Sequence, residues 1–234
     1  MAKITALEPQ KRDPGRVNVH LDGEYAFSLA RIVAAWLQVG QDLGAEKAAA
    51  LQVEDAKERA YQQAMLFLSY RTRSTAEIRQ NLRKHEIAAD VIEQTIQRLQ
   101  GERLANDDQF AKAWVENRST FRPRSRRALT LELRQKGVPD DAVSAALKDV
   151  DEDALAYQAA QKRARRLASL DWNDFRTKLS EYLARRGFSY SVVAPVVSRV
   201  WTETHAPHED AGEGPESPST DEPRNHNSDN EDIA

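Results

Sequence analysis

One apolar spacing occurs three times in this chain, and it restricts the fold more than any other feature. Leu82, Ile92, Ile96 and Leu99 stand at offsets of 0, 10, 14 and 17; Leu133, Val143, Leu147 and Val150 repeat those offsets 51 residues on, and Leu183, Val193, Val197 and Val200 repeat them after a further 50. Within each set the last three positions differ by four and three, which puts their side chains on one face of a helix. A fixed period of this length marks stacked supersecondary units, each leaving an apolar face for its neighbour to cover. Function is therefore expected on an extended surface rather than in a pocket.

Each repeat reads as three helices. Ser74-Thr75-Ala76-Glu77 fits a capping box ahead of the first middle helix, and Asp171-Trp172-Asn173-Asp174 offers the same chemistry in the third repeat. In the second, Ser125 is the expected start, after Pro123 closes a loop. Lys136-Gly137-Val138-Pro139 and Arg186-Gly187-Phe188-Ser189 are expected to end two middle helices, with glycine as the left-handed residue. Repeat one has His85-Glu86-Ile87 instead, so Glu86 implies a different turn or local strain. Pro195, about a turn and a half into the last helix, predicts a kink or a late start.

The beginning of the chain differs. Ile4 to Gln10, Arg16 to Leu21 and Glu24 to Leu29 are short extended stretches separated by Asp13-Pro14-Gly15 and by Asp22-Gly23, a two-residue hairpin signal. They place a small β element at residues 3–28. Ile32, Val33, Trp36 and Leu37 then follow a helical period until Gly40 and Gly44, and a longer helix is expected over 45–69. The division that results is 1–57 for a β-hairpin plus helices, 58–104, 105–150 and 151–202 for the three repeats, and 203–234 for a tail. The fold class is mainly α: elongated tandem three-helix repeats behind a small N-terminal β-hairpin segment, with a disordered acidic C-terminal tail.

That tail alters the charge balance. It holds ten acidic residues against one arginine, a net of −9, so the other residues carry 33 basic and 27 acidic groups, a net of +6, inside a chain whose total is −3. A basic body beside an acidic tail points to a polyanionic partner. Two readings of the tail stay open: a solubilising appendage, or a phosphate mimic that folds onto the basic residues. Cysteine is absent, which excludes disulfides and thiolate chemistry. No signal-peptide core follows Met1 and no run of 18 apolar residues occurs, so the expectation is a soluble cytoplasmic protein without a membrane partner.

Several stretches together resemble the RecX regulatory family: Ala64-Met65-Leu66-Phe67-Leu68-Ser69-Tyr70-Arg71, Ser74-Thr75-Ala76-Glu77-Ile78, Leu104-Ala105-Asn106-Asp107-Asp108-Gln109-Phe110-Ala111, Leu133-Arg134-Gln135-Lys136-Gly137-Val138 and Arg185-Arg186-Gly187-Phe188. The likeness covers about residues 30–202, with the motifs in order and the repeat period in agreement. It implies an all-helical body of tandem three-helix repeats that binds the RecA recombinase, lodges in the groove of the RecA filament on DNA, and modulates its recombinase, coprotease and ATPase activities, usually by inhibition. Glu86, the β-like N-terminus and the acidic tail depart from the family pattern.

Candidate binding residues fall in three clusters. Arg118, Arg122, Arg124, Arg126, Arg127, Arg134 and Lys136 stand against Glu132 alone, five of them in or beside the loop at Pro123, where long cationic side chains reach phosphates or acidic side chains. Lys162, Arg163, Arg165 and Arg166 turn more than half way round a helix and divide between binding and solvated charge. Arg185 and Arg186 suit either binding or the negative end of a helix dipole. Phe121 is the aromatic expected to make a contact, possible stacking partners Trp114, Trp172 and Phe188 being read as core. Asp107-Asp108, Asp140-Asp141 and Asp151-Glu152-Asp153 read as helix caps rather than catalytic pairs. His205 and His208 lack a second pair of metal ligands, and no phosphate-cradling glycine loop occurs.

The reading is a non-enzymatic monomer without cofactor or metal. Its expected partners are the RecA filament and single-stranded DNA, with double-stranded DNA left open. The rival is a free-standing nucleic-acid-binding adaptor that has no recombinase partner.

Overall fold

The computed structural model describes residues 1–205. The chain opens with strands β1 (Ala2–Pro9), β2 (Arg16–Leu21) and β3 (Glu24–Ala30), passes through a one-turn helix α1 (Arg31–Ala34) and a two-residue strand β4 (Asp42–Leu43), and continues as helices. These are α2 (Ala45–Ser69), α3 (Thr75–Lys84), α4 (Ala89–Gly101), α5 (Asp107–Phe121), α6 (Arg126–Gln135), α7 (Asp140–Leu147), α8 (Glu152–Ala164), α9 (Trp172–Ala184) and α10 (Tyr190–His205). Three triplets result, α2 to α4, α5 to α7 and α8 to α10. Glu203, Thr204 and His205, expected in the tail, complete α10. The rest of that acidic stretch, His208 included, lies outside the described residues.

The sheet is antiparallel in the order β3-β2-β1-β4. Asp22 and Gly23 both take positive φ, 51° and 92°, as a two-residue hairpin between right-twisted strands requires. The helix expected through Leu37 stops at Ala34. Beyond it the chain turns back so that Gly40 donates to the Ile4 carbonyl and Ile4 to the Gln41 carbonyl, which covers the free edge of β1. Leu37 and Leu43 are buried in that turn, while Trp36, on the apparent apolar face, is 88% exposed. Pairing a strand edge outweighed a local helical period.

Helix α2 joins two cores. Its first turns, through Ala48 and Leu51, pack on Ile4, Val17, Val19, Leu29 and Leu43 of the sheet, and its later turns, through Ala64, Met65 and Leu68, pack on Ile78, Leu82, Ile92, Ile96 and Leu99. Buried Asp55, between them, accepts from the Ala30 amide and from Arg16 and so hooks the sheet to the helix. Repeats two and three share one core, with Phe175, Leu129, Leu133, Leu179 and Leu183 fully buried. The twelve residues of the threefold spacing line these cores, Val150 only partly because α7 ends at Leu147. Pro195 lies inside α10, which nevertheless begins at Tyr190, so the late start does not occur.

Consecutive middle helices meet end to end. Ser74 accepts from the Glu77 amide at 3.1 Å, Glu77 reaches back to the Ser74 amide, and the Ser74 hydroxyl donates to the Lys136 carbonyl at 2.6 Å, just past the end of α6. One repeat on, Ser125 caps α6 and its amide donates to the Arg186 carbonyl past the end of α9. Gly137 and Gly187, at φ 70° and 91°, form the turns that dock there. A Cβ on Gly137 would overlap the Ala76 Cβ, and one on Gly187 would overlap the Ser125 hydroxyl. Glu86 takes the equivalent turn in repeat one at φ 59° and is exposed. Only the docked turns leave no room for a side chain.

Candidate nucleic-acid interface

Three basic clusters far apart in sequence converge on the loop after α5. The Lys162 ammonium, on α8, donates to the Thr120 carbonyl at 3.0 Å, and the Arg186 guanidinium, past α9, donates to the Pro123 carbonyl at 3.0 Å. Arg163 and Arg186 both lie over the Tyr182 ring, at 5.6 and 4.4 Å from its centre. One last-turn carbonyl of α5 and one carbonyl of the loop beyond it are thus held by cations from the next repeat. Phe121 and Arg122 are displayed on this clamped loop, and Phe121 is 70% exposed.

The expected binding residues divide by what they touch. Arg118 and Arg124 both contact the carboxylate of Glu132, at 2.7 and 3.0 Å, and the Trp114 indole N–H donates to the same group at 2.8 Å. Arg126 donates to the Leu147 carbonyl, Arg134 pairs with Asp140 on the surface, and Arg185 sits 3.5 Å from Glu181. Lys136 pairs with Glu77 at 2.8 Å and faces the Trp114 ring. Arg122, Arg127 and Arg166 are exposed, and their side chains have no hydrogen-bond or ion-pair partner among the described residues. Arg165 is exposed and without such a partner as well. Charge along the chain does not separate these four from their neighbours, because the partners of the others lie up to 63 residues away. The missed counter-charge in sequence was Glu132, counted as one acid although it serves three donors.

Carboxylates expected as caps behave in different ways. Asp151 caps its own helix, and Asp171 caps α9 through the Asp174 amide. Asp107 instead reaches back to the Thr75 amide and hydroxyl, at 2.9 and 2.6 Å, and so serves the start of α3, while Asn106 caps α5. Among the described residues no group of three His, Asp or Glu side chains is placed to hold a metal ion. His205 stacks on Trp201. No helix there is long and apolar enough to cross a membrane.

Glu77 is the charged centre of the junction between repeats one and two. Burial on its own would raise its pKa, but hydrogen bonds from Arg71 and Lys136 outweigh burial and hold it below the usual carboxylate value of 4.5. A carboxyl depressed in the folded state contributes stability above its unfolded pKa, and that contribution is lost as pH falls from about that value through the folded one. Thermal unfolding measured between neutral pH and pH 3 is expected to show this loss. Glu93, Glu102 and Glu203 are lowered as well, by Arg79, by Tyr61 and Arg98, and by Tyr157 and Arg199. A Glu77→Gln variant isolates the junction: its melting temperature should fall less steeply below pH 4.5 than that of the parent. Parallel acid limbs would remove Glu77 from the account.

Family models match nearly the whole described chain. Residues 60–99, 106–147 and 151–197 match the first, second and third three-helix domains of RecX, and residues 2–44 match the regulatory protein RecX N-terminal domain. The chain belongs to the RecX family. A RecX regulatory protein of Bacillus subtilis (strain 168) is 31% identical over 205 residues, 86% of this chain and 78% of that one. Its counterpart in Bacillus pumilus (strain SAFR-032) is 33% identical over 198 residues, 82% and 75% of the two chains. A crystal structure of regulatory protein RecX superposes with a TM-score of 0.66 at 29% identity, covering 85% of this chain and all of that one. RecX from Lactobacillus salivarius gives 0.56 at 25% identity over 63% of this chain and 97% of its own. The RecX N-terminal domain takes in the sheet, so the β segment is part of the family architecture.

Proposed function

We propose that this chain is a non-enzymatic regulator of RecA that acts in the cytoplasm as a monomer, lodging in the groove of the RecA filament on DNA and inhibiting its recombinase, ATPase and coprotease activities during DNA repair and recombination. The observation that carries the reading is the clamped loop after α5, where three basic clusters meet and Arg122, Arg127 and Arg166 stay unpaired among the described residues. A guanidinium without a protein partner keeps its donors for phosphate oxygens or for acidic side chains of a filament subunit. Membership of a regulatory family supports the same reading.

RecA ATP hydrolysis on single-stranded DNA, titrated with the purified chain, tests it. Suppression well below one chain per RecA is expected. The triple variant Arg122→Ala, Arg127→Ala, Arg166→Ala should need roughly tenfold more protein, about 0.5 kcal/mol for each lost charged contact. Arg124 and Arg126 are left in place because Glu132 and the Leu147 carbonyl hold them. Binding to bare DNA with no effect on RecA would replace the regulator by a free-standing adaptor.

A further inference from the structure

Aligned on the serines that cap their middle helices, repeats one and two carry one surface pattern twice. Tyr70-Arg71-Thr72-Arg73-Ser74 and Phe121-Arg122-Pro123-Arg124-Ser125 share aromatic, Arg, x, Arg, Ser at a separation of 51 residues. Both aromatics sit where the first helix of a repeat ends, Tyr70 just past α2 and Phe121 at the last position of α5. Tyr70 is 77% exposed and Phe121 70%. Neither ring stacks on another aromatic, and the Tyr70 hydroxyl makes no hydrogen bond, among the described residues.

The arginines differ in a way that defines the pair. In repeat two Arg122 is unpaired among the described residues and Arg124 rests on Glu132. In repeat one Arg71 is held by both oxygens of Glu77, while Arg73 lies over the Phe67 ring at 4.0 Å with its buried Nε unpartnered. Repeat three, aligned on Asp171, has buried Leu167 at the aromatic position. Packing therefore does not require an aromatic there. Two open π-faces beside guanidinium groups, at equivalent places in adjacent repeats of a basic body, have the chemistry of a stacking track.

We infer that Tyr70 and Phe121 are two base-stacking platforms for one strand of single-stranded nucleic acid that runs across repeats one and two. This rests on the reading that the loop after α5 meets DNA, and adds both the strandedness of the ligand and a second contact at Tyr70. Stacking tolerates any base and needs the ring itself, so an apolar side chain of similar size does not replace it.

The test uses the full chain and labelled oligothymidylates of about two and about twenty nucleotides: the serine caps beside the two rings stand at opposite ends of the ten-residue α6, about 15 Å apart, a gap that the short strand does not span and the long one does. On the long strand, Tyr70→Leu and Phe121→Leu should each weaken binding roughly tenfold and the double variant roughly a hundredfold, while Tyr70→Phe and Phe121→Tyr bind as the parent does. On the short strand each single leucine variant should cost only about twofold, since the other platform remains. Circular dichroism verifies folding of each variant. Unchanged binding of the long strand by Tyr70→Leu, or equal losses on both lengths, overturns the track.

RecA ATPase titrations with the same variants separate the two readings. Suppression by the parent together with normal strand binding by Tyr70→Leu would defeat the track and keep the regulator. Strand binding as expected without any effect on RecA would keep the track and defeat the regulator. If Tyr70→Leu lost suppression but kept strand binding, Tyr70 would be a protein contact and the inference would fall.

Discussion

Replacing Gly137 by valine is expected to cost about 2–5 kcal/mol and to separate the unfolding of repeat one from that of repeats two and three. A β-branched residue at φ 70° takes a left-handed conformation that disfavours it by about 1–2 kcal/mol. Its Cβ also overlaps that of Ala76, which is fixed in the first turn of α3, and overpacking adds about 1–3 kcal/mol. The damage falls on a junction built from polar contacts, Ser74 to the Lys136 carbonyl and Glu77 to Lys136, while the apolar cores on its two sides are separate. Urea unfolding followed by circular dichroism should therefore turn from one transition into two. Glu86→Gly is the matched control. It relieves the same backbone strain at a turn that nothing docks against, and should change stability by no more than about 1 kcal/mol. A Gly137→Val protein that unfolds like the parent would show that the repeats do not depend on this contact.

The contrast between Gly137 and Glu86 also shows what can be read from the chain before its structure. Helix starts were legible where the chemistry is local. Ser74, Ser125 and Asp171 cap as expected, and α2 begins at Ala45 and ends at Ser69, the limits its composition indicates. The threefold spacing located the core because helical period and burial coincide there. Trp36 misled because α1 gave way to the covering of a strand edge, a demand made by Ile4, more than thirty residues away. Repeat similarity also concealed that repeats two and three share a core whereas repeat one meets them through Glu77 and Asp107. At the candidate site, the number of cations was visible but their availability was not. Whether Arg122 or Arg124 is free depends on where Glu132 lies in space, and a charge count along the chain carries no such information.

Glu132→Ala should lower stability and strengthen polyanion binding together. Its carboxylate accepts from Trp114 and holds Arg118 and Arg124, so its removal strands the half-buried indole N–H and one largely buried guanidinium. Charged hydrogen bonds contribute about 1.5–3 kcal/mol each, but Arg124 regains water on release, so the net loss is about 2 kcal/mol. The same change frees two cations beside Arg122. If both meet phosphates, the slope of log affinity for single-stranded DNA against log salt steepens by about 1.4, with tighter binding at low salt. Glu132→Gln keeps an acceptor for Trp114 and should show a smaller stability loss with a similar gain in slope. A loss of stability with the slope unchanged would mean that Arg118 and Arg124 turn away from the strand when released. The binding face would then be confined to candidate cations without a partner among the described residues, Arg122, Arg127, Arg165 and Arg166, with Glu132 serving only to brace α5 against α6.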